Sequence, residues 1–218
     1  MVRVRLVNCY FVAEDDGLTL IDTSLAGAAG ALVEAARKLG GKIQRVALTH
    51  SHVDHAGSYT KLRGVLASAE FAVGERESEL LAGEVRARPG EPRGRLVKPL
   101  FQRSPVKPDR LLNPGDRVGS LEVVAAPGHT PGQLAFFDHR DRTLICGDAY
   151  AALGGVFVTT EAVLRFPWLS LLGTWDQATA VETARRLRDL EPTALACGHG
   201  PVVRHPLPGM DRALARAA

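Results

Sequence analysis

Apolar residues along the chain come in short runs separated by segments with helical spacing. Leu6 to Ala13 and Leu18 to Ile21 read as two strands, with Glu14-Asp15-Asp16-Gly17 as the hairpin turn between them. Ala26 to Leu39 reads as a helix, since Leu32, Ala35, Ala36 and Leu39 fall on one stripe and Gly40 is placed to end it. Val46 to Leu48, Leu121 to Ala126, Leu134 to Phe137, Thr143 to Cys146 and Thr193 to Cys197 are strand-like. A second helix is expected over Asp176 to Leu190. Asp176 can cap it, Val181, Ala184, Leu187 and Leu190 line one side, and Pro192 follows its end.

The polar residues just past these runs are of two kinds. Leu18 to Ile21 leads into Asp22, Val46 to Leu48 into His50, Leu121 to Ala126 into His129 within PGHTPG, Thr143 to Cys146 into Asp148, and Thr193 to Cys197 into His199. The segment THSHVDHAG, residues 49–57, adds His52, Asp54 and His55, so it holds three of the seven histidines of the chain. Imidazole nitrogen and carboxylate oxygen suit zinc and related divalent ions, and alternate residues of an extended segment, such as His50 and His52, can point the same way. Five histidines and three aspartates delivered by strand ends therefore suggest a metal site. His139 and His205 lie outside this pattern and read as ordinary polar residues.

Composition narrows the setting. At 218 residues, 45% hydrophobic and 23% charged, the chain suits one globular domain over 1–218 and neither a disordered nor a fibrous protein. No apolar run approaches the roughly 18 residues that span a bilayer, and the N-terminus lacks a small-residue cleavage site; a cytoplasmic protein without a membrane partner is expected. Cys9, Cys146 and Cys197 show no C-x-x-C spacing and read as buried reduced thiols. A net charge of +3 does not call for nucleic acid.

THSHVDHAG resembles the H-x-H-x-D-H signature of the metallo-β-lactamase-fold hydrolases. The later PGHTPG, GDA and GHG segments are similar to that family's remaining ligand motifs in the same order, and the resemblance runs from about Asn8 to Val203. It implies an α/β fold, the αββα sandwich of two packed mixed β-sheets flanked by helices. It implies two divalent metal ions, zinc first, with iron or manganese as alternatives. His50, His52 and His129 would bind one ion, Asp54, His55 and His199 the other, and Asp148 would bridge them. Asp22 matches a carboxylate behind the site that orients a histidine ligand. The implied chemistry is attack of a metal-bound hydroxide on an acyl carbon, with Asp54 accepting or relaying a proton, so Asp54→Ala should abolish turnover.

Within that family the chain is similar to the short glyoxalase II-like and lactonase-like members, which implies hydrolysis of a small thioester, ester or lactone. Only 19 residues follow His199, whereas glyoxalase II enzymes of standard size carry a glutathione-binding helical region there, so glutathione is not the expected thiol. A mononuclear-iron persulfide dioxygenase of the same superfamily is the alternative. Glu84 to Arg110 is an irregular loop rich in Arg and Pro that could lean over the site and favour an anionic small-molecule substrate. Tyr150, Phe166 and Trp168 are candidates for the substrate pocket, and the aromatic stretch from Val156 to Trp175 is equally suited to core packing or a homodimer contact.

Overall fold

The computed structural model describes residues 1–4, 6–161 and 173–217. Its first sheet is built from β1 (Val2–Val4), β2 (Val7–Glu14), β3 (Gly17–Ile21), β4 (Ile43–Ala47), β5 (Glu70–Gly74) and β6 (Arg110–Leu112), in that order. The second contains β7 (Arg117–Val118), β8 (Leu121–Ala125), β9 (Leu134–Asp138), β10 (Thr143–Gly147), β13 (Ala194–Cys197) and β14 (Val203–Arg204), ordered β14-β13-β10-β9-β8-β7. Between them in sequence, β11 (Tyr150–Ala152) and β12 (Val156–Val158) form a separate hairpin.

Strand alternation assigns the layers. In the first sheet Leu20, Val46, Leu48, Phe71 and Val73 pack with Leu32 and Ala36 of α1 (Ala29–Lys38) and with Tyr59 and Leu62 of α3 (Tyr59–Val65). The intervening residues Ile21, Ala47 and Ala72 turn the other way and meet Leu134, Phe136, Ile145 and Ala196 of the second sheet. The outer face of that sheet, with Phe137, Leu144, Cys146, Leu195 and Cys197, is covered by Ala184 and Leu187 of α5 (Gln177–Asp189) and by Met210 and Ala213 of α6 (Leu207–Ala217). The result is helix, sheet, sheet, helix, each layer closing the apolar face of the next.

Strand direction then places the polar ends. β3 and β4 are parallel, as are β10 and β13, while β8 and β10 both run antiparallel to β9 and so share a direction. The carboxyl ends in each sheet carry Asp22 and His50, or His129, Asp148 and His199, to one edge of the sandwich, where α/β sheets bind their ligands.

The hairpin expected between β2 and β3 is present, and its connection is two residues, Asp15-Asp16, because Glu14 pairs with Gly17 and both extend the strands. Asp176 caps α5 by accepting a hydrogen bond from Thr179 N at 2.8 Å. α1 begins at Ala29, later than its apolar spacing predicts, because Gly27 is left-handed (φ +91°) and the Ala28 amide donates to Ser58 Oγ at 2.9 Å. Segment 84–110 is irregular apart from a 3-10 turn at Lys98–Leu100, an isolated bridge from Phe101 to His52, and Arg110, which opens β6. All three cysteines are buried and unpaired. No helix among the described residues is long and apolar enough to cross a membrane.

Candidate metal centre

Residues 50–55 divide their side chains between two clusters because the backbone changes conformation at His52. His52 itself is extended (φ −65°, ψ 151°), and it shares a cluster with His50. The single turn of α2 (Val53–Ala56) then swings Asp54 and His55 toward a second position. The candidate ligand atoms of His50, His52 and His129 lie within 4.8 Å of one another, as do those of Asp54, His55, Asp148 and His199.

Asp148 stands between the clusters. Its Oδ1 is 3.4 Å from His55 Nε2, while its Oδ2 is 3.2 Å from His199 Nε2 and 3.6 Å from His129 Nε2. Asp54 Oδ2 approaches His199 Nε2 at 3.4 Å and His55 Nε2 at 3.7 Å. In the other cluster His129 Nε2 is 3.0 Å from His52 Nδ1.

Four of the five rings are held through the nitrogen that faces away from the centre. His199 Nδ1 donates to Leu6 O at 2.9 Å, and His129 Nδ1 meets the hydroxyls of Thr159 (3.1 Å) and Thr174 (3.3 Å). His55 Nδ1 donates to Asp22 Oδ2 at 2.8 Å. The same oxygen accepts from Thr49 Oγ1 (2.8 Å), whose lone pair faces His50 Nδ1 at 3.0 Å. Asp22 thus orients one histidine of each cluster, His55 directly and His50 through Thr49, and its other oxygen accepts from Thr49 N at 2.7 Å. With the outer nitrogens engaged, Nε2 of His50, His55 and His199 and Oδ1 of Asp148 are buried without a hydrogen-bond partner. Buried polar atoms are almost always satisfied, so four orphans converging on one place fit a cation.

The electrostatics of the two clusters differ. Burial, reinforced by the neighbouring imidazoles, holds His50 well below the usual histidine range and His52 down at about 3, so both are neutral with lone pairs available. In the second cluster burial opposes charge, but Asp148 and Asp54 outweigh it: His55 is raised well above its ordinary value and His199 to about 10. The partners move oppositely, since burial of Asp54 and Asp148 is outweighed by His55 and His199 and both stay ionised. The two carboxylates thus favour positive charge at this cluster, and a cation bound there would displace protons from His55 and His199.

Several supporting residues were not singled out in the sequence. Asn8 spends its side-chain amide on Tyr10 Oη, Cys197 O (2.9 Å) and Gly200 O (2.6 Å), fixing the turn that presents His199. Thr49, Thr159 and Thr174 are unremarkable in composition and acquire roles only through contacts. Gly198 leaves no room for a side chain: a Cβ there would lie 2.1 Å from Asp148 Oδ1 and 2.5 Å from His55 Cε1.

Tyr150 is not a pocket residue. It is fully buried in the outer core of the second sheet and donates its hydroxyl to Ala184 O at 2.8 Å, because β11 turns its side chain toward α5. Phe166 and Trp168 lie outside the described residues. The loop 84–110 does reach the centre, through a ring and a backbone amide: the Phe101 ring packs on His52 (centroids 4.7 Å apart), and Arg95 N donates to the carbonyl of Trp175, whose own amide donates to His129 O. Its Arg88 is bonded to Glu79 and its Arg86 to Glu84, whereas Arg93, Arg95, Lys98 and Lys107 are exposed. His139 pairs with Glu122 far from the clusters.

Fold and edge together define an αββα sandwich protein with a site of metal-binding type. The family model of the metallo-beta-lactamase superfamily matches residues 2–199, and the chain belongs to that superfamily. Among its relatives, the uncharacterized Bacillus subtilis protein YobT is 38% identical over 211 residues, spanning 97% of this chain and 90% of the relative. YflN of the same organism, described as a probable metallo-hydrolase, is 29% identical and spans 91% and 82%. A hydroxyacylglutathione hydrolase of Rhodospirillum rubrum is 29% identical over 90% of this chain and 61% of its own length. Among solved structures, TTHA1623 in a di-iron-bound form superposes with a TM-score of 0.70 at 24% identity, covering 95% of this chain and 94% of its own, a likeness of fold.

Proposed function

We propose that the chain is a binuclear metal-dependent hydrolase of small thioesters, esters or lactones, with His50, His52 and His129 holding one divalent cation, Asp54, His55 and His199 the other, and Asp148 both. The observation that carries this reading is the convergence of buried ring nitrogens without a hydrogen-bond partner, on histidines whose outer nitrogens are already bonded. Zinc suits the imidazole-rich donor set, and iron or manganese suits it too. Bound there, two cations supply Lewis acidity for an acyl oxygen and lower the pKa of water toward about 7.

The chain's own residues do the rest. Asp54, with its side chain 17% exposed, is reachable by substrate and is the carboxylate placed to accept or relay a proton as water attacks. Asp22 and Thr49 keep His55 and His50 from rotating, so both present Nε2 to the centre. Phe101 excludes water from one flank of His52. Arg93, Arg95, Lys98 and Lys107 give the adjoining loop a positive field that favours an anionic substrate. The likeness to a hydroxyacylglutathione hydrolase supports a thioester over a lactone.

The test is turnover of a panel of acyl thioesters, aryl esters and lactones by the metal-loaded protein, beside Asp54→Ala. Hydrolysis by the parent chain with loss of about 10²-fold or more in kcat in the variant, the scale of a missing general base, is the expected result. Retained turnover in Asp54→Ala overturns its role.

A further inference from the structure

α4 (Glu75–Ala82) carries a glutamate that the chemistry above leaves unused. Glu77 has no solvent exposure and accepts four hydrogen bonds. Its Oε2 receives Ser51 N at 2.8 Å and Ser51 Oγ at 2.6 Å, and its Oε1 receives Thr130 Oγ1 at 2.6 Å and Gly132 N at 3.0 Å. Ser51 sits between His50 and His52, and Thr130 follows His129. One carboxylate therefore ties together the two segments that supply the whole first cluster while touching none of its imidazoles.

Nothing in the packing requires a charge there. The neighbouring guanidinium of Arg76 is directed to Glu79 and Glu91, and no cation among the described residues pairs with Glu77. A buried carboxylate held only by neutral donors is costly relative to an apolar side chain, whereas it satisfies four donors on two loops in a way no apolar side chain can. The approach is close enough to restrict the sequence: a Cβ on Gly132 would lie 2.6 Å from Arg76 Cβ and 2.9 Å from Glu77 N.

We infer that Glu77 is a positioning residue for the first metal site: it fixes the spacing of His50 and His52 against His129, and hence that cluster's affinity for its cation, while Asp22 bears directly on the second through His55. This rests on the metal reading above. Glu77→Gln keeps the shape but has one acceptor oxygen where two were used, and it turns an amide toward donors.

The experiment is titration of the metal-free full-length chain with zinc against a chromogenic chelator, repeated in a His199→Ala background so that the remaining tight site is the first cluster. Glu77→Gln is expected to weaken that site about 10- to 100-fold, the usual scale for outer partners of metal ligands, and Thr130→Val, which removes one of the four bonds, by less. Circular dichroism and melting accompany each variant, and if Glu77→Gln does not fold, Thr130→Val decides. First-site affinity within about twofold of the parent in the folded variants overturns the inference, as does an equal loss at both sites, which would mark a general structural role. A parent chain that binds no zinc at all would instead overturn the metal reading itself.

Discussion

Asp148→Ala is expected to lower kcat/KM by at least about 10³-fold and to leave no more than one cation per chain, while the fold persists. Removing a single transition-state donor costs roughly 10²–10³, and this carboxylate does more than one such group. Its two oxygens face His55 and His199 on one side and His129 on the other, at 3.2 to 3.6 Å, so it is the group common to both clusters. Without it the second cluster also loses half of its negative charge, and the elevated proton affinity of His55 and His199, caused largely by Asp148, falls. Metal counting, a melting curve and steady-state kinetics on the purified variant check the three parts together. Full activity in Asp148→Ala would mean that the clusters act separately.

A second large effect is expected from a single methyl group. Gly198→Ala places a carbon 2.1 Å from Asp148 Oδ1 and 2.5 Å from His55 Cε1, well inside van der Waals contact, at the end of β13 where the backbone is bonded to Gly147 O and to Asn8 N and cannot retreat. The side chains must yield by about an ångström, and misplacement of that size costs about 10²-fold in rate. Gly64→Ala is the control: it lies within α3 with open space where its Cβ would be, and activity there should be unchanged. Equal kcat/KM for Gly198→Ala and the parent chain would show that Asp148 and His55 tolerate displacement.

How much of this was legible in the sequence depended on how far apart the interacting residues lie. His50, His52, Asp54 and His55 fall within six positions, and the strand-like runs before Asp22, His129, Asp148 and His199 are visible as apolar segments, so their gathering at one sheet edge could be anticipated. Asp22 could be read as a supporting carboxylate, but its hold on both His55 and, through Thr49, His50 is a matter of side-chain geometry. Glu77 gave no local signal, since Ser51, Thr130 and Gly132 are 26, 53 and 55 residues away. α6 carries Met210 and Ala213 at helical spacing, yet Pro206 and Pro208 obscure its start; tertiary packing against the second sheet supplies what the local pattern lacks. Tyr150 misled because nearness to Asp148 in sequence is not nearness in space: strand alternation turned it away from the site and into the core.

The most direct test of the account is the metal content per chain, by plasma mass spectrometry, of protein purified without chelators from cells supplied with zinc, iron and manganese. About two equivalents of divalent metal per chain are predicted, as a two-metal site requires. One equivalent of iron, with the cluster of Asp54, His55 and His199 empty, would contradict the binuclear hydrolase and direct attention to oxygen uptake on a persulfide.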